Sequence, residues 1–171
     1  MKAKSLILLV LFCFLSLSVF SQEKSKKELR AEKELHEQKE TEGLINSKNF
    51  VFNAEKANPL GYRMIILDYN TYTIKVTEEN VVCDLPYFGR AYNVAYGSSD
   101  GGMKFEGKPE NITIEKKKKS YSIKMIVKGK DDVYTLLFSV FFDGGTNVSV
   151  TSNNKASISY DGEIKAPKAK I

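Results

Sequence analysis

A chain of 171 residues, 42% hydrophobic and with a formal charge of +5, has apolar material for a single core and only a mild basic excess. Lysine supplies nearly all of that excess. The three arginines, Arg30, Arg63 and Arg90, leave few groups for bidentate phosphate or guanine contacts, which excludes nucleic acid as the expected partner.

Residues 1–21 have the three parts of a secretory signal: Lys2 and Lys4, an apolar run from Leu6 to Phe20, and Val19-Phe20-Ser21 before Gln22. The run falls short of the ~20 apolar residues a spanning helix needs. Cys13 lies in mid-run behind Phe12, so it does not read as a lipid anchor. The expected mature protein begins near Gln22, is periplasmic or extracellular, carries a charge of about +3, and has no transmembrane segment. Cys83 is then its only cysteine, so no internal disulfide can hold the fold. Strand alternation puts Cys83 on one face with Val81 and Leu85, as a buried apolar side chain.

Residues 22–48 are charged, free of proline and rich in Glu, Lys, Leu and Ala, which predicts a helical N-terminal extension. Apolar positions are sparse and no heptad is sustained, so the helix is expected to be solvated and to dock, if at all, near Leu44 and Ile45. His36, the one histidine, sits there among Glu32, Lys33 and Glu37, without the further ligands of a metal site.

From residue 49 to 165 the period changes to two. Phe50 and Phe52; Tyr72, Ile74 and Val76; Ile112 and Ile114; Tyr121, Ile123, Met125 and Val127; Val148 and Val150; Ile158 and Tyr160 each alternate with polar neighbours. Turn residues punctuate these runs at Asn58-Pro59, Asp68-Tyr69-Asn70, Asp100-Gly101-Gly102, 129–132, Asp143-Gly144-Gly145 and Asp161-Gly162. The fold class is therefore all-β, a single antiparallel meander after one helix, with 166–171 as a basic tail. Two runs are apolar on both faces, 63–67 and 133–142, and are expected to be covered on both.

Between two of these strands lies Leu85-Pro86-Tyr87-Phe88-Gly89-Arg90-Ala91-Tyr92. Two readings compete. In one, Tyr87, Phe88, Arg90, Tyr92 and Tyr96 form an aromatic wall with one cation, a binding surface for a small amphipathic or anionic ligand. In the other, Tyr87 and Phe88 plug an end of the β structure, Pro86 and Gly89 set the turn, and Arg90 pairs with Asp84.

The LPYFGRAY string, together with Phe50-Val51-Phe52 after a charged helix, a glycine-rich turn before Met103-Lys104-Phe105, and Ile158 to Ile164, resembles an uncharacterised family of exported proteins typical of Bacteroidetes, the domain of unknown function numbered 4251. The resemblance spans nearly all of the mature chain and implies a small lipocalin-like barrel or half-barrel, with no established activity. The chain departs from the family pattern at Asn153-Asn154-Lys155, where an arginine is expected.

No catalytic set is visible. The β segment has no histidine, GxSxG motif or P-loop, so the expectation is no enzyme, no cofactor and no metal. Glu78-Glu79 and Asp131-Asp132 read as solvated turn carboxylates, and the two Asp-Gly-Gly motifs lack the oxygen ligands of a calcium loop. Two function classes remain: a non-catalytic binding module for a small ligand, and a structural protein of the cell envelope that meets another protein through its helix and sheet surface.

Overall fold

Helix α1 runs Lys26–Ser47 in the computed structural model, which describes residues 26–92 and 101–167. Residues 1–25 (including the expected signal segment), Tyr96, Asp100 and residues 168–171 lie outside the described residues. Good helix formers carry α1, and Glu28 in its first turn suits the positive end of the helix dipole. The helix stops at Lys48, which takes the left-handed φ of 49° and bonds its N–H to the Ile45 carbonyl at 3.1 Å. Only Thr41 and Ile45 of the helix are buried, so it docks through its last turns, near the predicted pair. Residues 34–171, the later part of α1 with the whole sheet, form one compact unit; residues 1–33 form another, whose described part is the start of α1.

Ten antiparallel strands follow among the described residues: β1 Phe50–Pro59, β2 Ile65–Ile66, β3 Thr73–Val76, β4 Val81–Leu85, β5 Met103–Gly107, β6 Pro109–Lys116, β7 Ser120–Lys128, β8 Val133–Phe141, β9 Gly145–Ser152 and β10 Ile158–Lys165. Their order is β5-β4-β3-β1-β10-β9-β8-β7-β6, with β2 paired to β1. The first and last strands of this path are separated in sequence by Lys108 alone, so the sheet bends back on itself into a nearly closed barrel. At that corner Gly107 must be glycine, because a Cβ there would run into the Lys128 carbonyl. Phe105 of β5 stacks on Tyr134 of β8 with ring centroids 3.8 Å apart.

The alternating residues fill the interior. Phe138 stands at its centre, edge-on to Phe50 at 5.7 Å and to Phe52 at 6.3 Å, and Ile74, Leu85, Met103, Ile123 and Leu136 are fully buried around it. Cys83 is buried and free, as the alternation predicts.

Four expectations need correction. Asp161-Gly162 is not a turn but lies inside β10, where Gly162 lets the strand approach β1; a Cβ would collide with the Asn53 carbonyl. The register shifts there, between Ala54 and Lys56 of β1. Asp161 spans three strands, accepting from Asn58 and Asn147 side-chain amides at 2.7 Å each. Asn58-Pro59, likewise read as a turn, forms the last two residues of β1, and the turn follows at 60–62.

The second correction concerns Ile112 and Ile114, which are part-buried and exposed: β6 is the end of the path and has no neighbour beyond it. The third is the outer face of β8, where Val133, Leu137 and Phe141 are 38%, 41% and 50% exposed, because the buried helix residues cover a barrel end and not its wall. The fourth is the run 63–67, which contributes only the two-residue β2 and leaves Met64 and Ile66 exposed.

Candidate functional site

The barrel has two differently built ends. At one, Thr41 of α1 meets the β8–β9 turn, its hydroxyl donating to the Phe142 carbonyl at 3.0 Å, while Ile45 joins the core cluster. Lys116 at the end of β6 pairs with Glu42 at 3.2 Å, and Lys48 with Glu78 at 3.1 Å. The buried Tyr121 hydroxyl sits under the Glu42–Lys116 pair without a bond of good geometry. That phenol and then Lys116 draw the Glu42 carboxyl below its usual pKa, while Tyr121 and Glu42 hold Lys116 above its own. A groove lined by Glu37, Glu40, Thr41, Leu44, Asp143 and Lys165 opens beside the helix. Among the described residues no three His, Cys, Asp or Glu side chains gather as a metal cluster.

At the opposite end the LPYFGRAY segment leaves β4 and crosses to the β9–β10 connection. Leu85 is its buried root. The Pro86 carbonyl accepts a 2.6 Å bond from the Tyr160 hydroxyl, which burial keeps protonated by raising its pKa. Tyr87 turns inward, its hydroxyl 2.7 Å from the Arg90 carbonyl and 3.1 Å from the Ala156 carbonyl. Burial raises this phenol as well, against the lowering effect of the Ala156 bond. Gly89 leaves space for the Tyr87 ring, since a Cβ would come within 2.5 Å of its hydroxyl oxygen. Ala91 then bridges Lys155, with the Tyr92 N–H on the Asn154 carbonyl at 2.8 Å and the Ala156 N–H on the Arg90 carbonyl at 2.9 Å.

This anchoring separates the candidate residues. Tyr87 is half-buried and pinned, whereas Phe88 and Tyr92 are 36% and 68% exposed, and Arg90 is exposed beside them. Phe88 is therefore not the core plug that the architectural reading requires. Nor does Arg90 pair with Asp84, whose carboxylate lies 3.6 Å from Lys104; Arg90 makes no ion pair among the described residues. Tyr96 lies outside them.

Lys155 and Asp132, the latter expected to be a solvated turn carboxylate, support the segment. Lys155 donates to the Gly102 carbonyl at 2.5 Å and lies 5.2 Å above the Tyr87 ring, so its ammonium helps support this end. Asp132 accepts from the Ser152 hydroxyl at 2.6 Å, the Val133 amide at 2.7 Å, and the Asn153 and Asn154 amides at 3.2 Å. Burial pushes this carboxyl up, but those bonds outweigh it and its pKa falls below the usual aspartate value. The sequence signal for Asp132 was a Gly-Lys-Asp-Asp turn, which does not distinguish an anchoring carboxylate from a solvated one. Beneath the segment the Cys83 thiol, raised by burial and then by Asp84, donates to the Met103 carbonyl at 3.2 Å and is inert.

A family model described as "Domain of unknown function (DUF4251)" matches residues 32–164. No curated protein matches. Among solved structures, the fold is similar to the crystal structure of a DUF4251 family protein from Bacteroides eggerthii, with 15% identity, 77% of this chain and 88% of that chain covered, and a TM-score of 0.60.

Proposed function

From the premise that this chain belongs to the DUF4251 family, we propose that it is an exported, non-catalytic binding protein that begins near Gln22 and takes a small amphipathic anion on the rim of its barrel. The observation that carries this reading is the division of the crossing segment: backbone and Tyr87 are fixed, while Phe88, Arg90 and Tyr92 face outward with the guanidinium unspent on any described carboxylate. An exposed guanidinium flanked in sequence by two exposed aromatics suits a carboxylate, sulfate or phosphate headgroup with an apolar tail. The barrel centre, filled by Phe138 and its neighbours, favours this rim over the interior as the place for a ligand.

The test is calorimetric titration with monomeric dodecyl phosphate. Arg90→Ala with Tyr92→Ala should weaken binding by roughly 10-fold or more, the value of one hydrogen bond to a charged group, and leave the unfolding free energy from denaturant melts within about 0.5 kcal/mol of wild type. Unchanged affinity would sink the assignment.

The exposed stripe Val133, Leu137 and Phe141 on β8 favours a second reading, in which the barrel wall meets another envelope protein. Replacement of Leu137 by Ser would then abolish a stoichiometric partner in native mass spectrometry and leave dodecyl phosphate binding intact.

A further inference from the structure

We infer that the barrel end bearing the crossing segment docks on the surface of an anionic lipid bilayer. The inference deepens the reading above, on which it rests for Phe88, Arg90 and Tyr92, and adds a second element, the β1–β2 turn. Leu60, Tyr62 and Met64 on that turn are 78%, 64% and 52% exposed. The turn is built to hold them there. Gly61 adopts the left-handed φ of 81°, the Tyr62 N–H reaches the Pro59 carbonyl at 3.3 Å, and the returning β2 is pinned by Ile65 and Ile66 against Ala57 and Lys56. The Leu67 N–H then bonds the Glu55 carbonyl at 2.8 Å.

Topology brings this turn to the crossing segment. Pro59 stands opposite Ile158 of β10, and Ala156, two residues before Ile158, bonds Arg90. Leu60 and Arg90 thus leave the same strand end within a few strand steps of ~3.3 Å.

Charge selects the occupant. Of the chain's three arginines, the two beyond α1, Arg63 and Arg90, are both exposed at this end, and neither makes an ion pair among the described residues. Two acids here are already engaged, Asp84 with Lys104 and Asp132 with the 152–154 backbone and Ser152. Guanidinium groups next to projecting leucine, methionine and tyrosine side chains match an anionic headgroup layer above acyl chains: the arginines take phosphates, the tyrosines sit at the interface, and the aliphatic tips enter the hydrocarbon.

The experiment is co-sedimentation with vesicles of phosphatidylcholine containing about a third phosphatidylglycerol, and with phosphatidylcholine alone, using protein purified from the cells that make it so that every sample has the same N-terminus. Wild type should sediment with the anionic vesicles, release as salt is raised, and ignore the neutral ones. The triple variant Leu60→Ser, Tyr62→Ser, Met64→Ser should partition at least roughly 10-fold less while keeping its affinity for monomeric dodecyl phosphate. Failure of wild type to bind anionic vesicles, or equal binding by the triple variant, overturns the docking inference; retained dodecyl phosphate binding in that case leaves the rim-ligand reading standing. Vesicle binding without dodecyl phosphate binding has the reverse meaning. Loss of vesicle binding in Leu137→Ser but not in the triple variant moves the contact to the barrel wall and also overturns the inference.

Discussion

The two ends of the barrel are closed by different physics. At the helix end one buried isoleucine does most of the work, helped by a single threonine-to-carbonyl bond, while the visible ion pairs, Lys116–Glu42 and Lys48–Glu78, are solvent-exposed and each worth little. At the crossing end the half-buried Tyr87 ring is the chief apolar addition. Closure there rests on hydrogen bonds from protonated phenols, an ammonium and backbone amides to groups that would otherwise be stranded. An apolar plug gives stability without fixing side chains outside it. A hydrogen-bonded strap fixes direction, which is why Phe88, Arg90 and Tyr92 are presented at the crossing end.

The largest test of this contrast is Ile45→Ala, which removes the plug. Global stability should fall by about 2–5 kcal/mol in urea melts, and hydrogen exchange at the crossing end should follow only the global loss. A loss below about 1 kcal/mol would mean that the ion pairs, not burial, hold the helix.

Next in size is Tyr160→Phe, which keeps the ring and strands the Pro86 carbonyl, for a cost of roughly 1–3 kcal/mol. Amide exchange around residues 85–92 should quicken selectively, and a change spread evenly over the barrel would contradict the strap.

The smallest effect, and the most diagnostic, is in acid. Asp132 titrates lower in the folded chain than the ~3.9 of an unfolded aspartate, so its contribution is complete above that value and is lost as pH falls through the folded pKa. Asp132→Asn should flatten stability against pH below about 4 and release the Asn153 and Asn154 amides. Glu42 is shifted in the same direction at the helix end; an equal flattening by Glu42→Gln would erase the difference between the ends.

Much of this architecture was legible in period-two alternation, because a half-buried strand imposes it: Phe50 and Phe52, Tyr121 to Val127, and Ile158 and Tyr160 all point inward as read. The failures have physical causes. Asp161-Gly162 has the composition of a turn, but that glycine answers to the Asn53 carbonyl across the ladder, a contact between residues more than a hundred positions apart. Ile114 follows the pattern of a buried residue yet sits on an edge strand, and alternation does not report how many neighbours a strand has. Within the candidate site, Tyr87 and Phe88 are alike in composition and opposite in role, a difference decided by Ala156 and Lys155, which only the folded chain brings near.

The pairing of β1 with β10 dictates an order of events during synthesis. Val51 lies against Lys165, so the first strand to leave the ribosome is completed by the last. The hairpins β6–β7, β7–β8, β8–β9 and β9–β10 have short loops and can pair as they emerge, whereas β1 must wait, bound meanwhile only to β3 and β2. Until β8 is made, Phe50 and Phe52 have no Phe138 to pack against, and until β10 is made β1 lacks its long-range partner strand.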